Sequence, residues 1–153
     1  MRSKRKVKEI DNLLKDIHKF VFLQTKEEVL KLELTSPRFH ILWLLDNLQP
    51  INMTGLTDKA YMANSTLTVI IDALTKEGLV KRYRNLEDRR EVLLEVTSKG
   101  ESILKSIVEA RQKFLLESLK FLDSNEQDEL IQLLTPISDY MKEYFENVKE
   151  KED

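Results

Sequence analysis

Cysteine is missing from this chain, and glycine and proline are scarce, with three of each in 153 residues. The first absence excludes disulfides and thiol-based redox sensing, and it fits a cytoplasmic protein. The second, beside 41% hydrophobic and 34% charged residues, excludes a fibrous or disordered chain and describes a helix-rich globular one. No apolar run approaches the roughly 20 residues that cross a bilayer. The start, MRSKRKVKEIDNLL, is basic but has no apolar stretch behind it, so no secretory signal is expected. Also missing are a nucleophile–base pair, a glycine-rich phosphate loop and a carboxylate cluster. Neither an enzyme nor a cofactor is expected. What remains is a length suited to a single domain, residues 1–153, with a real core.

An excess of one charge is lacking too, since the net charge is −2. The distribution says more. Residues 1–8 carry Arg2, Lys4, Arg5, Lys6 and Lys8 with no acid, and residues 81–90 carry Lys81, Arg82, Arg84, Arg89 and Arg90 against Glu87 and Asp88. Residues 123–153 hold ten acids against three lysines. Each run alone reads as a solvated face. Together they allow a near-neutral chain to offer phosphate a local positive surface.

Periodicity divides the chain into elements. Val7, Ile10, Leu14, Ile17 and Val21 recur at three- and four-residue steps in a first helix over residues 1–32, a narrow stripe suited to a partner helix. Ser36-Pro37 reads as N-cap and first position of a second helix, with Ile41, Leu44, Leu45 and Leu48 inward and Pro50 as its stop. After a short segment, Leu67, Ile70, Ile71 and Leu74 place one apolar stripe on a further helix, which Gly78 closes in a left-handed C-cap. LVKRYR and EVLLEVT, joined by NLEDRR, read as a hairpin. Ser98 and Glu101 then read as a capping box for a long helix to about Leu122, and Asp123 and Glu126 as a second box for the last helix. Leu130, Leu133, Leu134, Ile137, Met141, Tyr144, Phe145 and Val148 form the stripe of that last helix, which Pro136 should kink or break.

The fold class expected is mainly α with a small β-hairpin wing. A helix pair followed directly by a hairpin is the winged helix-turn-helix plan, in which the second helix enters the major groove and the hairpin loop reaches the neighbouring backbone or minor groove. Asp88-Arg89-Arg90, then Val96-Thr97 and Gly100, resemble the D-x-R…[LV]-T-x-x-G signature of MarR-family transcriptional regulators. The similarity extends over about residues 34–104, through LTSPRFHILWLL and STLTVIIDALTKEGLVKR. The resemblance implies a winged-helix lobe over 35–97 and a homodimer built from helices within 1–34 and 98–153. It also implies, in many members, a small-molecule pocket between the dimer helices and the DNA-binding lobe.

With the apolar stripe inward, Asn64, Ser65, Thr66, Thr68, Val69 and Lys76 face DNA or flank that face. Asn64 suits adenine, and Ser65, Thr66 and Thr68 suit bases or phosphates, while N-capping competes for Asn64 and Ser65. Val69 stands where relatives often have arginine, and space-filling is favoured over contact with a thymine methyl. Tyr61 stands where relatives often have glycine, and Ala63 replaces the usual serine cap, which should shift the cap to Asn64. Arg90 is expected in the minor groove, with a structural ion pair to Asp88 as the competing role. Arg84 and Arg89 are expected on phosphates, and Asp72 is expected to orient a neighbouring basic residue. Phe39 and Trp43, with Phe20 and Phe114, are weak candidates for an effector pocket, since aromatics at helical spacing are more often core. His18 and His40, even with Glu33 or Asp46, fall short of a metal-ligand set.

The function expected is a sequence-specific double-stranded DNA-binding regulator on a pseudo-palindromic operator, most readily a repressor released by a small molecule. Two alternatives stay open. One is a dimeric protein-interaction module whose winged helix no longer binds DNA, and the other is a zinc-gated regulator.

Overall fold

The computed structural model describes residues 4–149, so Arg2 of the basic start and the side chains of Phe145 and Val148 lie outside the described residues. The chain packs as two units, residues 1–112 and 113–153.

In the first unit, helix α1 (Lys4–Lys31) buries only Val29. Its end is closed by Glu33 N–H donating to the Leu30 carbonyl and Leu34 N–H to the Val29 carbonyl, both at 3.0 Å. That is the paired bonding of a Schellman turn, with Glu33 left-handed at φ 58°. Helix α2 (Ser36–Leu48) follows. Its N-cap is Thr35, one residue earlier than the expected Ser36. The Thr35 carbonyl accepts the Phe39 N–H at 2.9 Å, so Pro37 sits in the first turn, where its missing donor is not needed.

Strand β1 (Ile51–Asn52) escapes a sequence reading because two residues carry no period. Helix α3 (Met53–Ala60) starts on Asn52, whose side-chain oxygen accepts the Gly55 N–H at 2.8 Å. Helix α4 (Asn64–Lys76) buries the expected Leu67, Ile70, Ile71 and Leu74. Its N-cap is Ala63, with no side-chain bond, and Asn64 is already helical, so the expected shift of the cap does not occur. The C-terminus closes as expected. Gly78 has φ 73° and donates to the Thr75 carbonyl, while Leu79 donates to the Leu74 carbonyl and buries its side chain.

Strands β2 (Val80–Arg84) and β3 (Val92–Val96) pair antiparallel, with Val80 opposite Val96 and Arg84 opposite Val92. Strand β1 adds to the free edge of β3, Ile51 opposite Leu94, so the expected hairpin is a three-stranded sheet in the order β1-β3-β2. Helix α2 packs against α1, α3, α4 and β3. That central place widens the expected inward face: Leu42 is fully buried with Ile41 and Leu45, while Leu44 and Leu48 are half-buried against the same core. Each such side chain removed from water is worth about 1.5–3 kcal/mol.

Helix α5 (Ser98–Leu119) begins where β3 ends. The expected Ser98–Glu101 box is replaced by a cap one residue earlier. The Thr97 hydroxyl accepts the Gly100 N–H at 3.2 Å and donates to the Gly78 carbonyl at 2.7 Å, while the Thr97 N–H donates to the Leu79 carbonyl at 3.0 Å. One threonine thus caps α5 and binds it to the turn after α4. The contact is so close that a Cβ on Gly100 would lie 2.5 Å from the Leu79 oxygen and 2.6 Å from a Val96 methyl.

In the second unit, helix α6 (Ser124–Lys149) starts with the expected reciprocal box. Asp123 N–H donates to the Glu126 carboxylate and Glu126 N–H to that of Asp123, both at 2.9 Å. Of the expected kink or break at Pro136, the break does not occur: the helix continues through it.

Gly100→Ala should lower the unfolding free energy in urea by about 3 kcal/mol, because the added methyl meets backbone. Gly78→Ala should cost about 1 kcal/mol, since its methyl meets nothing within 4 Å and only the left-handed backbone resists. Equal losses would show that the Gly100 contact yields freely.

Candidate nucleic-acid interface

Burying Leu67, Ile70, Ile71 and Leu74 leaves the opposite face of α4 to solvent. Asn64, Ser65, Thr66, Thr68, Val69, Asp72 and Lys76 are all exposed there, Val69 at 69%. The structure therefore brings every α4 residue singled out from the sequence onto one side. The Thr68 hydroxyl donates to the Asn64 carbonyl at 2.8 Å, which leaves its lone pairs as acceptors. Tyr61, at the turn between α3 and α4, is left-handed at φ 51° and 73% exposed. A residue with a Cβ pays for that conformation, so the expected strain at this turn is present.

The loop between β2 and β3 is held by its own side chains. Asn85 N–H donates to the Glu91 carbonyl at 2.9 Å, and the Asn85 amide donates to the Glu91 carboxylate at 2.7 Å. The other Glu91 oxygen accepts from the Asn52 amide, whose oxygen caps α3. One carboxylate therefore joins wing and helix-turn-helix. Within the loop, Asn85 and Asp88 each accept the backbone N–H two residues on, from Glu87 at 3.0 Å and from Arg90 at 2.9 Å. These are turn-forming side-chain bonds.

Asp88 thus engages the Arg90 backbone and leaves its guanidinium alone; the ion pair weighed against minor-groove binding does not form. Among the described residues, Arg84, Arg89, Arg90 and Lys76 pair with no carboxylate, and all four are exposed. Asp72 behaves as expected and pairs with Arg82 of β2, tying α4 to the wing. On the same strands Lys81 meets Glu95 at 2.6 Å, Tyr83 donates to the same carboxylate, and the Lys81 ammonium lies 5.6 Å from the Tyr83 ring centre. Arg38 of α2 pairs with Glu77 at 2.5 Å, bracing the far end of α4.

Sequence reasoning missed Asn52, Asn85 and Glu91. A polar cap residue ahead of a helix was a signal for Asn52, and the flanking of a five-residue turn by Asn85 and Glu91 was a weaker one.

The weaker candidates are scattered. Phe39 packs against the core, Trp43 is 42% exposed on α2, Phe20 is exposed on α1, and Phe114 falls in the second unit. An apolar groove of about 470 Å³ in the first unit is lined instead by Leu14, Ile17, Val21 and Phe22 of α1 with Arg111 of α5. His18 stacks near Phe22, with ring centres 6.3 Å apart, and His40 is exposed on α2. Among the described residues, no three His, Asp or Glu side chains gather to hold a metal, and no helix is long and apolar enough to cross a membrane.

Lys81, then Tyr83, hold the Glu95 carboxyl below its ordinary range against a smaller effect of burial. A folded-state value below the unfolded one stabilises above the ordinary glutamate range, and the gain vanishes as pH falls through the folded value. The hydrogen bond to Glu95, then burial, push the Tyr83 hydroxyl up, and that contribution fades as pH rises through its folded value. The stability gap between the wild type and Glu95→Gln, followed by urea unfolding, should be wide near neutrality and close in acid. A gap that persists unchanged to low pH would contradict this assignment.

A profile of the MarR family matches residues 34–92. The chain is 30% identical over 111 residues to the uncharacterized HTH-type transcriptional regulator YfiV of Bacillus subtilis, covering 72% of this chain and 69% of that protein. It is 29% identical over 121 residues to the HTH-type transcriptional regulator MgrA of Staphylococcus aureus, covering 79% and 78%. Its backbone follows that of a MarR family protein from Bacillus stearothermophilus with a TM-score of 0.83 and 27% identity, covering 93% of this chain and 99% of the other.

Proposed function

The chain belongs to the MarR family, and on that premise we propose that it is a homodimeric, sequence-specific regulator of transcription acting on duplex DNA in the cytoplasm. The observation that carries this reading is the row of unpaired cations Arg84, Arg89 and Arg90 on a wing braced to the exposed face of α4. Cations without internal partners keep their full charge for phosphate. In a near-neutral protein they concentrate it on the edge that the winged-helix plan turns toward the duplex.

Asn64, Ser65, Thr66 and Thr68 meet base edges or phosphates at the start of α4, Val69 fills space beside them, and Lys76 reaches backbone. Arg84 and Arg89 position the wing on phosphates, Asp88 shapes its loop, and Arg90 enters the minor groove. With no arginine on α4, selectivity rests largely on the wing and on duplex shape, which favours A·T-rich sites.

Dimerisation is supported by exposed apolar stripes on both outer helices: Val7, Ile10, Leu14 and Ile17 on α1, and Leu133, Leu134, Ile137 and Met141 on α6. Stripes of this kind need a cover in water. A two-fold dimer presents two α4 helices about 34–36 Å apart to half-sites of a pseudo-palindrome. A small molecule that binds one dimer geometry better than the other releases the repressor by favouring a spacing that no longer fits.

Selection of bound duplexes from genomic fragments should recover one inverted repeat. Arg90→Ala should weaken binding to it by about 1–3 kcal/mol, and Arg89→Ala should lower the slope of log affinity against log salt by about 1. Recovery of no motif, with binding that ignores salt, would turn the assignment toward a protein partner.

A further inference from the structure

Leu86 is the most exposed large apolar side chain in the described protein, at 95%. Single exposed leucines are ordinary on protein surfaces and need no function. This one is unusual in its setting. It stands between Asn85, which closes the loop onto Glu91, and Glu87, whose N–H is held by the Asn85 side chain. The turn that presents it is therefore fixed on both sides, and every other residue from Asn85 to Glu91 is polar or charged. Arg84, Arg89 and Arg90, all without carboxylate partners, flank it. Nothing inside the protein is gained by a leucine at the summit of this loop.

Resting on the DNA-binding reading above, we infer that Leu86 is an apolar wedge: it enters the minor groove ahead of Arg90 and partly unstacks one base step. Three physical features carry the assignment. The flanking guanidinium groups draw the loop onto phosphates, which brings its tip against the groove floor. A branched apolar side chain gains there by leaving water, whereas an amide or hydroxyl would compete for base edges. The Asn85–Glu91 bonds keep the tip from folding back, so insertion costs little ordering of the loop. Steps that unstack most readily, TA and CA/TG, are the ones such a wedge selects. Leu86 thereby adds a specificity element at positions that α4 does not reach.

The test uses the full-length protein and the inverted-repeat duplex it selects, with 2-aminopurine replacing adenine at each step opposite the wing in turn. Wild-type binding should raise 2-aminopurine fluorescence at one step in each half-site. Leu86→Ser should abolish that rise and weaken binding about tenfold, the loss expected from leaving one leucine side chain in water. Its salt dependence should stay unchanged, because no phosphate contact is removed. Arg89→Ala should give the opposite pattern, with a shallower salt slope and the fluorescence rise retained. Leu86→Met should retain both affinity and fluorescence. A Leu86→Ser protein that binds within twofold of wild type and preserves the fluorescence rise would overturn the wedge while leaving DNA binding intact. Failure of the wild type to select any duplex would overturn the DNA-binding reading, and the wedge with it.

Discussion

The close approach at Gly100 governs how the rest of the first unit is arranged. There the start of α5, the end of β3 and the turn after α4 come within contact distance, and Thr97 bonds to the backbone on both sides. A side chain at position 100 would force these three segments apart. With none, the wing has a defined root: β3 emerges from the clasp, β2 leaves the Gly78 turn beside it, and their register is set from Val80 opposite Val96 outward. The T-x-x-G portion of the signature is therefore structural, while its D-x-R portion shapes and charges the loop.

From that root, polar bonds hold the wing against the helix-turn-helix. Arg82 reaches Asp72 on α4, and Glu91 reaches the Asn52 cap of α3. Both attachments are exposed or only half-buried, so their individual strengths are modest. Their value lies in geometry, since two cross-links between stiff elements suppress independent swinging of the loop. The same bonds occupy Asp72 and Glu91 at fixed places, while Arg84, Arg89 and Arg90 pair with no carboxylate.

Much of the fold was legible in the sequence because its signals are periodic or local. The Leu67–Leu74 stripe, the glycine closing α4, the Asp123–Glu126 box and the β2–β3 hairpin all appear as expected. Errors arose where a choice between neighbours depends on distant packing. Thr97 prevails over Ser98 as a cap because it also reaches Gly78 across the clasp. Leu42 is buried because α2 is enclosed on several sides, which no single helical stripe conveys. Strand β1 exists only because β3 offers it an edge. At the candidate interface, the exposed residues of α4 followed from the buried ones, whereas the role of Glu91 did not. That carboxylate meets an amide 39 positions earlier in the chain, a separation that local patterns cannot register.

The division of labour at this surface also bears on how the protein can evolve. The residues that brace the wing, Asn52, Asp72, Arg82 and Glu91, are distinct from those that stand farthest into solvent, among them Ser65, Val69 and Leu86. Substitution at the latter removes no internal bond, so a new side chain there is tested almost entirely by what it meets outside. Lineages descended from such a scaffold are free to explore new targets one exposed position at a time. The strained Tyr61 turn marks the other boundary of that freedom: there a change of side chain also alters how the backbone is held, and drift is coupled to folding.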